Sequence, residues 1–253
     1  MLRNEKLGVL IPVHNAEETI IRSLESVVQS CTHAKVKTCI CLVLNDCIDD
    51  TLIKILSYFP ANTKQDERSL HVLYSDKGIV PALNKGLQFL SEEGCSLIAR
   101  QDSDDKWYKT KIIKQLTFLE EHPEIDILGT QINLVKTGTW DSMSVTCNPT
   151  EHSEIEQWLL KGHNPIAHPS VMFRTSILNK LGGYQQLFPM AEDLWLWSSA
   201  MIAGYKLANL PDVLVDYTSV HNPNYNPMSP RVLSNCVKQI IALNNNEYGT
   251  IKK

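Results

Sequence analysis

The 253-residue chain lacks any apolar run near the ~20 residues that span a bilayer. It also lacks a basic excess: 24 Lys and Arg stand against 28 Asp and Glu, a net charge of −4. The first absence argues against a transmembrane segment, and the second against a nucleic-acid binder held by a basic face. The charged start, Met1 to Lys6, meets Pro12 and His14 instead of an apolar core with a small-residue cleavage site, so no signal peptide is expected. No C-x-x-C pair exists among the seven cysteines for zinc or redox chemistry. Their odd number and scattered spacing predict free thiols, with Cys39 and Cys41 buried on one face of a strand. A reducing cytoplasmic setting follows, compatible with peripheral contact at a membrane surface. Internal repeats, low-complexity segments and linkers are missing too.

What is present is an alternation of short β-type runs with helical periods, the pattern of an α/β fold with a largely parallel sheet. Strands are predicted at residues 7–11, 39–44, 70–74, 96–99, 126–135, 171–173 and 213–217. Pro12 closes the first strand, and Asn15 with Glu18 predicts a capping box opening the next helix. Further helices are expected through Leu83, Leu87 and Leu90, through Ile112, Leu116 and Leu119, and at 153–160 and 192–203. Residues 60–69 read as a surface loop, and 136–150 and 161–167 as variable loops suited to an acceptor. One domain is expected over 1–230, with halves 1–105 and 106–230, followed by a helix and frayed tail at 231–253.

Three polar constellations carry candidate chemistry. Asp102-Ser103-Asp104 follows the fourth strand, the edge where open α/β sheets bind ligands. Two carboxylates so spaced on irregular backbone can share a hard divalent ion that bridges a diphosphate. The bland alternative is that Asp104 or Asp105 caps the following helix. A phosphatase D-x-D is a weaker rival, because that motif belongs after a first strand. Glu192-Asp193 precedes an apolar helix, where acids favour the helix dipole or where one could serve as a general base. His221, in an Asn- and Pro-rich loop, is either a solvated side chain or a further metal ligand.

Taken in order, these residues resemble the family 2 glycosyltransferases, inverting enzymes of the GT-A fold, over roughly the first 220 residues. Ile11-Pro12-Val13-His14-Asn15-Ala16-Glu17 is similar to the family's opening I-P-V-Y-N-x-E, with His14 for Tyr. Ala99-Arg100-Gln101-Asp102-Ser103-Asp104-Asp105 resembles A-R-M-D-A-D-D. His168 to Arg174, Gly182-Gly183-Tyr184 and Ala191-Glu192-Asp193 match later blocks. The resemblance implies a mostly parallel central sheet flanked by helices, a Rossmann-like nucleotide-binding half and an acceptor half. It implies that Pro12, Val13 and His14 line the nucleoside pocket, that Asn45 meets the base, and that Asp102 and Ser103 approach the donor. Asp104, with Asp102 and His221, would hold Mn²⁺ or Mg²⁺. Asp193 would be the general base and Glu192 its support at the acceptor. A UDP-sugar donor and a glycan or other hydroxyl acceptor are the implied partners, with no nucleic acid.

Departures from the family pattern are Asn45-Asp46-Cys47-Ile48-Asp49, where D-G-S-T-D is frequent, and Trp195 in place of Asp. Trp195 is expected to offer a sugar-stacking face, and Trp197 to pack in the core. A nucleotidyltransferase would want a Gly-rich phosphate loop after the first strand, which Pro12-Val13-His14-Asn15 is not. A non-catalytic sugar- or nucleotide-binding module is the other rival, supported only by the altered Asn45 stretch.

Overall fold

A computed structural model of the chain describes residues 5–62, 68–185, 191–219, 235, 237–240 and 242. The apolar runs become β1 (Lys6–Val13), β2 (Lys37–Asn45), β3 (Arg68–Ser75) and β4 (Leu97–Arg100), with α1 (Ile20–Ala34), α2 (Thr51–Asn62) and α3 (Ile79–Glu92) between them. These four strands are parallel, in the order β3-β2-β1-β4. The chain continues through β5 (Lys106–Trp107), α4 (Lys111–Glu121), β6 (Ile127–Lys136) and β7 (Ser142–Val145). It ends in α5 (His152–Leu160), β8 (Met172–Arg174), α6 (Leu178–Leu181), α7 (Glu192–Ile202) and β9 (Leu207–Ser219). The same sheet extends as β4-β8-β6-β9-β5, with β7 beside β6. There β8 runs antiparallel to β4 and β6, while β6 and β9 are parallel. The expected parallel sheet is therefore its first half, and the second half is mixed.

Helices cover both faces, which is why the parallel strands read as nearly unbroken apolar runs. Along β1 and β2, Leu7, Val9, Ile11, Ile40, Leu42 and Leu44 face one core, with Ile20, Leu24 and Val27 of α1 and Ile112, Leu116 and Leu119 of α4. Leu10, Cys39, Cys41 and Val43 face the other, with Leu83 and Leu87 of α3, Ile155 of α5, and Leu194 and Trp197 of α7. Gly86 is what lets α3 sit close: a β-carbon there would collide with Leu10 and press on Val43. Val237 and Ile240 are buried in the second core, whereas the predicted tail beyond 243 lies outside the described residues.

Several local expectations are corrected. β1 continues through Pro12 to Val13, which is possible because β4 stops opposite Leu10 and leaves one side of β1 without a strand. The capping box does not form. Asn15 takes a left-handed φ of 46°, and α1 starts at Ile20 after Thr19, which makes no side-chain cap. β3 begins at Arg68 and α2 reaches Asn62, so the predicted loop is shorter; residues 63–67 lie outside the described set. Residues 136–150 hold the exposed strand β7. Among the described residues, no helix is long and apolar enough to cross a membrane.

Candidate active site

Leaving β1, the chain builds β2 and β3 on one side and then crosses back to place β4 on the other side of β1. Such a reversal opens a crevice beyond the carboxyl ends of the two strands. His14 follows β1 at this point, and Asp102, Ser103 and Asp104 follow β4.

The acidic loop is clamped from three sides. Ser23 of α1 donates to the Asp102 carbonyl (2.8 Å), and Arg22 to the Asp104 carbonyl (2.9 Å). From β9, the Thr218 hydroxyl donates to the Asp104 carbonyl, and its N–H to Asp105 Oδ1 (both 2.7 Å). Ser26 and Ser30, further along the same face of α1, accept the N–H groups of Trp107 and Ile112, so one serine stripe docks β5 and α4 as well. α4 begins at Lys111 after Thr110. Neither Asp104 nor Asp105 caps it, and the capping alternative falls away.

Within the loop the carboxylates differ. Arg100, two residues before Asp102 and 3% exposed, grips both of its oxygens, Nη1 to Oδ2 at 2.5 Å and Nη2 to Oδ1. Asp105 is buried, and its Oδ2 has no hydrogen-bond partner among the described residues. Burial, then the nearby charges of Asp102 and Asp104, raise its pKa well above the carboxylate range. Asp104 is half-buried, and burial, followed by Asp102, pushes it up to about 6. Three acids thus share two cations, Arg100 committed to Asp102 and Arg22 bound to the Asp104 backbone carbonyl.

At the end of β1, His14 is exposed while Pro12 and Val13 are buried strand residues. His14 Nδ1 lies 2.6 Å from the Asn45 carbonyl and must donate to it, leaving Nε2 to accept from the Asn15 amide at 3.4 Å. Asn45 Oδ1 accepts the Gly78 N–H at 2.8 Å and so ties β2 to the start of α3; its second lone pair is the one a base N–H could use. The loops after β1 and β2 are laced together: Asn15 Oδ1 accepts from Ile48, Thr51 Oγ1 from Ala16, and Asp49 Oδ2 from Glu17. Beside them, a cavity of about 380 Å³ is lined by Tyr74, Ser75, Asp76, Pro81 and Lys85.

Across the crevice, Glu192 and Asp193 begin α7. Asp193 Oδ2 accepts from Asn164 Nδ2 (2.6 Å), and Oδ1 from the Leu194 N–H (2.7 Å). Burial, and after it the charge of Glu192, pushes Asp193 up to about 6. Glu192 Oε1 lies 3.9 Å from His168 Nδ1, and His168 Nε2 is 2.9 Å from the Tyr184 hydroxyl. Burial, then Arg100, holds His168 neutral, so the Glu192 contact is not an ion pair. Arg100 grips Asp102, and its backbone N–H donates to the Val171 carbonyl (3.0 Å), three residues past the His168 that Glu192 meets, so both acidic groups lie by the end of β4.

Sequence reasoning missed Arg100 as the clasp on Asp102, although residues i and i+2 at a strand end share a side. It also missed Asn164 and the His168–Tyr184 pair, which no local period could reveal. Trp195 is only 8% exposed and packs in the second core, so it offers no open stacking face; Trp197 is buried as expected. His221 lies outside the described residues.

A parallel half-sheet feeding an acidic loop, extended by a mixed half-sheet, is the GT-A fold. The sequence profile of Glycosyl transferase family 2 matches residues 8–182, and the chain belongs to that family. It is 34% identical over 150 residues to an uncharacterized glycosyltransferase of Haemophilus influenzae, covering 59% of this chain and 53% of that one. It is 32% identical over 143 residues to the amylovoran biosynthesis glycosyltransferase AmsE of Erwinia amylovora, covering 56% and 51%. The chain spans about half the length of these curated relatives. Among solved structures, S. aureus TarS 1-349 in complex with UDP-GlcNAc superposes with a TM-score of 0.70 at 18% identity, covering 95% of this chain and 67% of that one. The mannosyltransferase PcManGT of Pyrobaculum calidifontis, in complex with GDP-Man and Mn²⁺, gives 0.64 at 13% identity, covering 98% and 77%.

Proposed function

We propose that the chain is an inverting glycosyltransferase that moves a sugar from a nucleotide-diphosphate sugar, UDP-linked by preference, to a hydroxyl of a glycan or other acceptor. The observation that carries this reading is the meeting of two separate carboxylate groups at one sheet edge, one crowded with like charge and one supplied with hydrogen-bond donors. Structural neighbours solved with UDP-GlcNAc and UDP support the donor class.

The acidic loop fits a hard divalent ion, Mn²⁺ or Mg²⁺. Asp104 and Asp105 are raised by burial and then by Asp102, and Asp105 Oδ2 is buried without a partner among the described residues, so positive charge would relieve both. Asp104 is the better ligand, because Arg100 already occupies both oxygens of Asp102. When bound, the ion supplies Lewis-acid stabilisation of charge on the leaving diphosphate.

The chain's own residues do the rest. His14 and Asn45 flank the nucleoside, and Ser103 stands in the turn between the donor-side acids. Asp193 takes the proton from the acceptor hydroxyl, and a pKa of about 6 leaves it ionised at neutral pH yet basic enough to accept. Asn164 and the Leu194 N–H fix its two oxygens, while Glu192 supports the acceptor. Attack opposite the leaving group inverts the anomeric centre without a covalent sugar–enzyme intermediate.

The test is a panel of UDP-, GDP- and dTDP-sugars with Mn²⁺ and mixed hydroxyl acceptors, read by nucleotide release and by product anomeric configuration. UDP release with inversion is expected. Retention of configuration, or release of pyrophosphate from nucleoside triphosphates instead, contradicts the proposal.

A further inference from the structure

At the opposite edge of the sheet lies a second cluster of ligand-type side chains that the transfer reaction does not use. Cys39 is the third residue of β2; Asn45, at the other end, is six residues on, which places the cluster about 20 Å from the nucleoside side at the rise of an extended strand. Cys39 pairs in register with Gly8 of β1 and Ser69 of β3. A β-carbon on Gly8 would come within 3.3 Å of the Cys95 β-carbon, so Cys95 rests on that glycine beside Cys39. Both thiols are buried and free. His71 of β3 and Glu93, just past α3, complete the group. The ligand atoms of Cys39, His71 and Glu93 all lie within 4.8 Å of one another.

One feature remains unexplained by folding alone. Among the described residues, His71 Nε2 is buried without a hydrogen-bond partner, which ordinarily destabilises a fold. Glu93 is held by Lys6 at 2.6 Å through Oε2, yet a carboxylate can serve a cation and an ammonium together.

We propose that Cys39, His71 and Glu93 form a binding site for a divalent cation of the zinc class, separate from the acidic site across the sheet. One thiolate, one imidazole and one carboxylate are all zinc ligands, three protein ligands leave the fourth position to water, and a thiolate disfavours Mg²⁺ and Mn²⁺. Tetrahedral zinc spaces its ligand atoms by roughly 3.5 Å, so side-chain rotations closing about an ångström suffice. The ion would staple β2, β3 and the α3–β4 connection, and its binding would stabilise the folded chain.

The probe is Co²⁺, added to chelator-stripped protein under reducing conditions. A thiolate-to-cobalt charge-transfer band is expected at one equivalent and should disappear on adding Zn²⁺. The acidic site has no sulfur and cannot produce that band, so Asp104→Ala should leave it intact. Cys39→Ser should abolish or strongly reduce it. His71→Gln, at a half-exposed strand position, should keep the fold and weaken Co²⁺ at least roughly tenfold. Absence of the band at saturating Co²⁺ overturns the proposal, as does a band that survives Cys39→Ser. If a cysteine variant fails to fold by circular dichroism, unchanged Co²⁺ affinity in His71→Gln overturns it instead.

Discussion

Asp104 and Asp193 stand on the same sheet edge, and burial brings both to a pKa of about 6, but the next neighbour in each case is different in kind. Around Asp104 the added pressure comes from other carboxylates, and the compensating donors go to its backbone carbonyl, through Arg22 and Thr218. Around Asp193, two N–H donors bind the carboxylate itself and orient it. Burial alone therefore does not assign a role. On the proposed reading, the first arrangement would be relieved by a cation and the second would take up one proton. Each prediction below attacks that division.

The largest effect is expected at Asp193. Asp193→Asn keeps size and most hydrogen bonding but cannot accept a proton, and loss of a general base costs roughly 10²- to 10⁴-fold in rate. Steady-state transfer should fall by that amount, whereas Glu192→Gln should lose less and partly through acceptor KM. Exchange of those two outcomes would exchange the roles.

Next comes the metal side. UDP with Mn²⁺ should raise the melting temperature of the wild type, and EDTA should remove the shift, because a ligand bound only by the folded state stabilises it. Asp104→Ala should show no such shift while remaining folded. A GDP-specific shift would instead correct the base assignment.

A smaller effect is expected on the pH profile. The rate should fall as pH drops through about 6, where Asp193 protonates. Asn164 favours the ionised form, so Asn164→Ala should move that limb upward by a few tenths to about one unit. An unmoved limb would detach Asn164 from the base.

The smallest concerns stability without metal. Asp104 near pH 6 lies above the ~3.9 of an unfolded aspartate, so the fold favours its protonated form. That contribution is full below about pH 4 and is lost as pH rises through about 6. Asp104→Asn, which has no charge to bury, should raise the metal-free melting temperature at pH 7 by a few degrees, at roughly 2–4 °C per kcal/mol for a chain of this size. Thermal scans at pH 4 and pH 7 would check that the gain appears only at the higher pH.

Much of this edge was legible in the sequence, for physical reasons. β4 announces itself as an apolar run that stops at Asp102-Ser103-Asp104-Asp105, and a parallel strand's end is where ligands bind. α7 shows its acidic start before Leu194 and Trp195. What could not be read is held by contacts between distant positions. Asn164 reaches Asp193 across 29 residues, and Thr218 reaches Asp105 across 113. Local pattern also misled where tertiary demand won. Asn15 has the chemistry of a helix cap, but it turns left-handed to accept the Ile48 N–H and joins two loops instead. Trp195 is drawn into the α7 core by its neighbours Leu194 and Leu196. β5, two residues long, is too short to leave a period at all.

The division of labour between the two acids is tested most directly by calorimetric titration of Mn²⁺–UDP into Asp104→Ala and Asp193→Asn under identical conditions. The account predicts near-normal affinity in Asp193→Asn and metal-dependent binding lost in Asp104→Ala. Equal affinity in the two variants, or the reverse order, would contradict it.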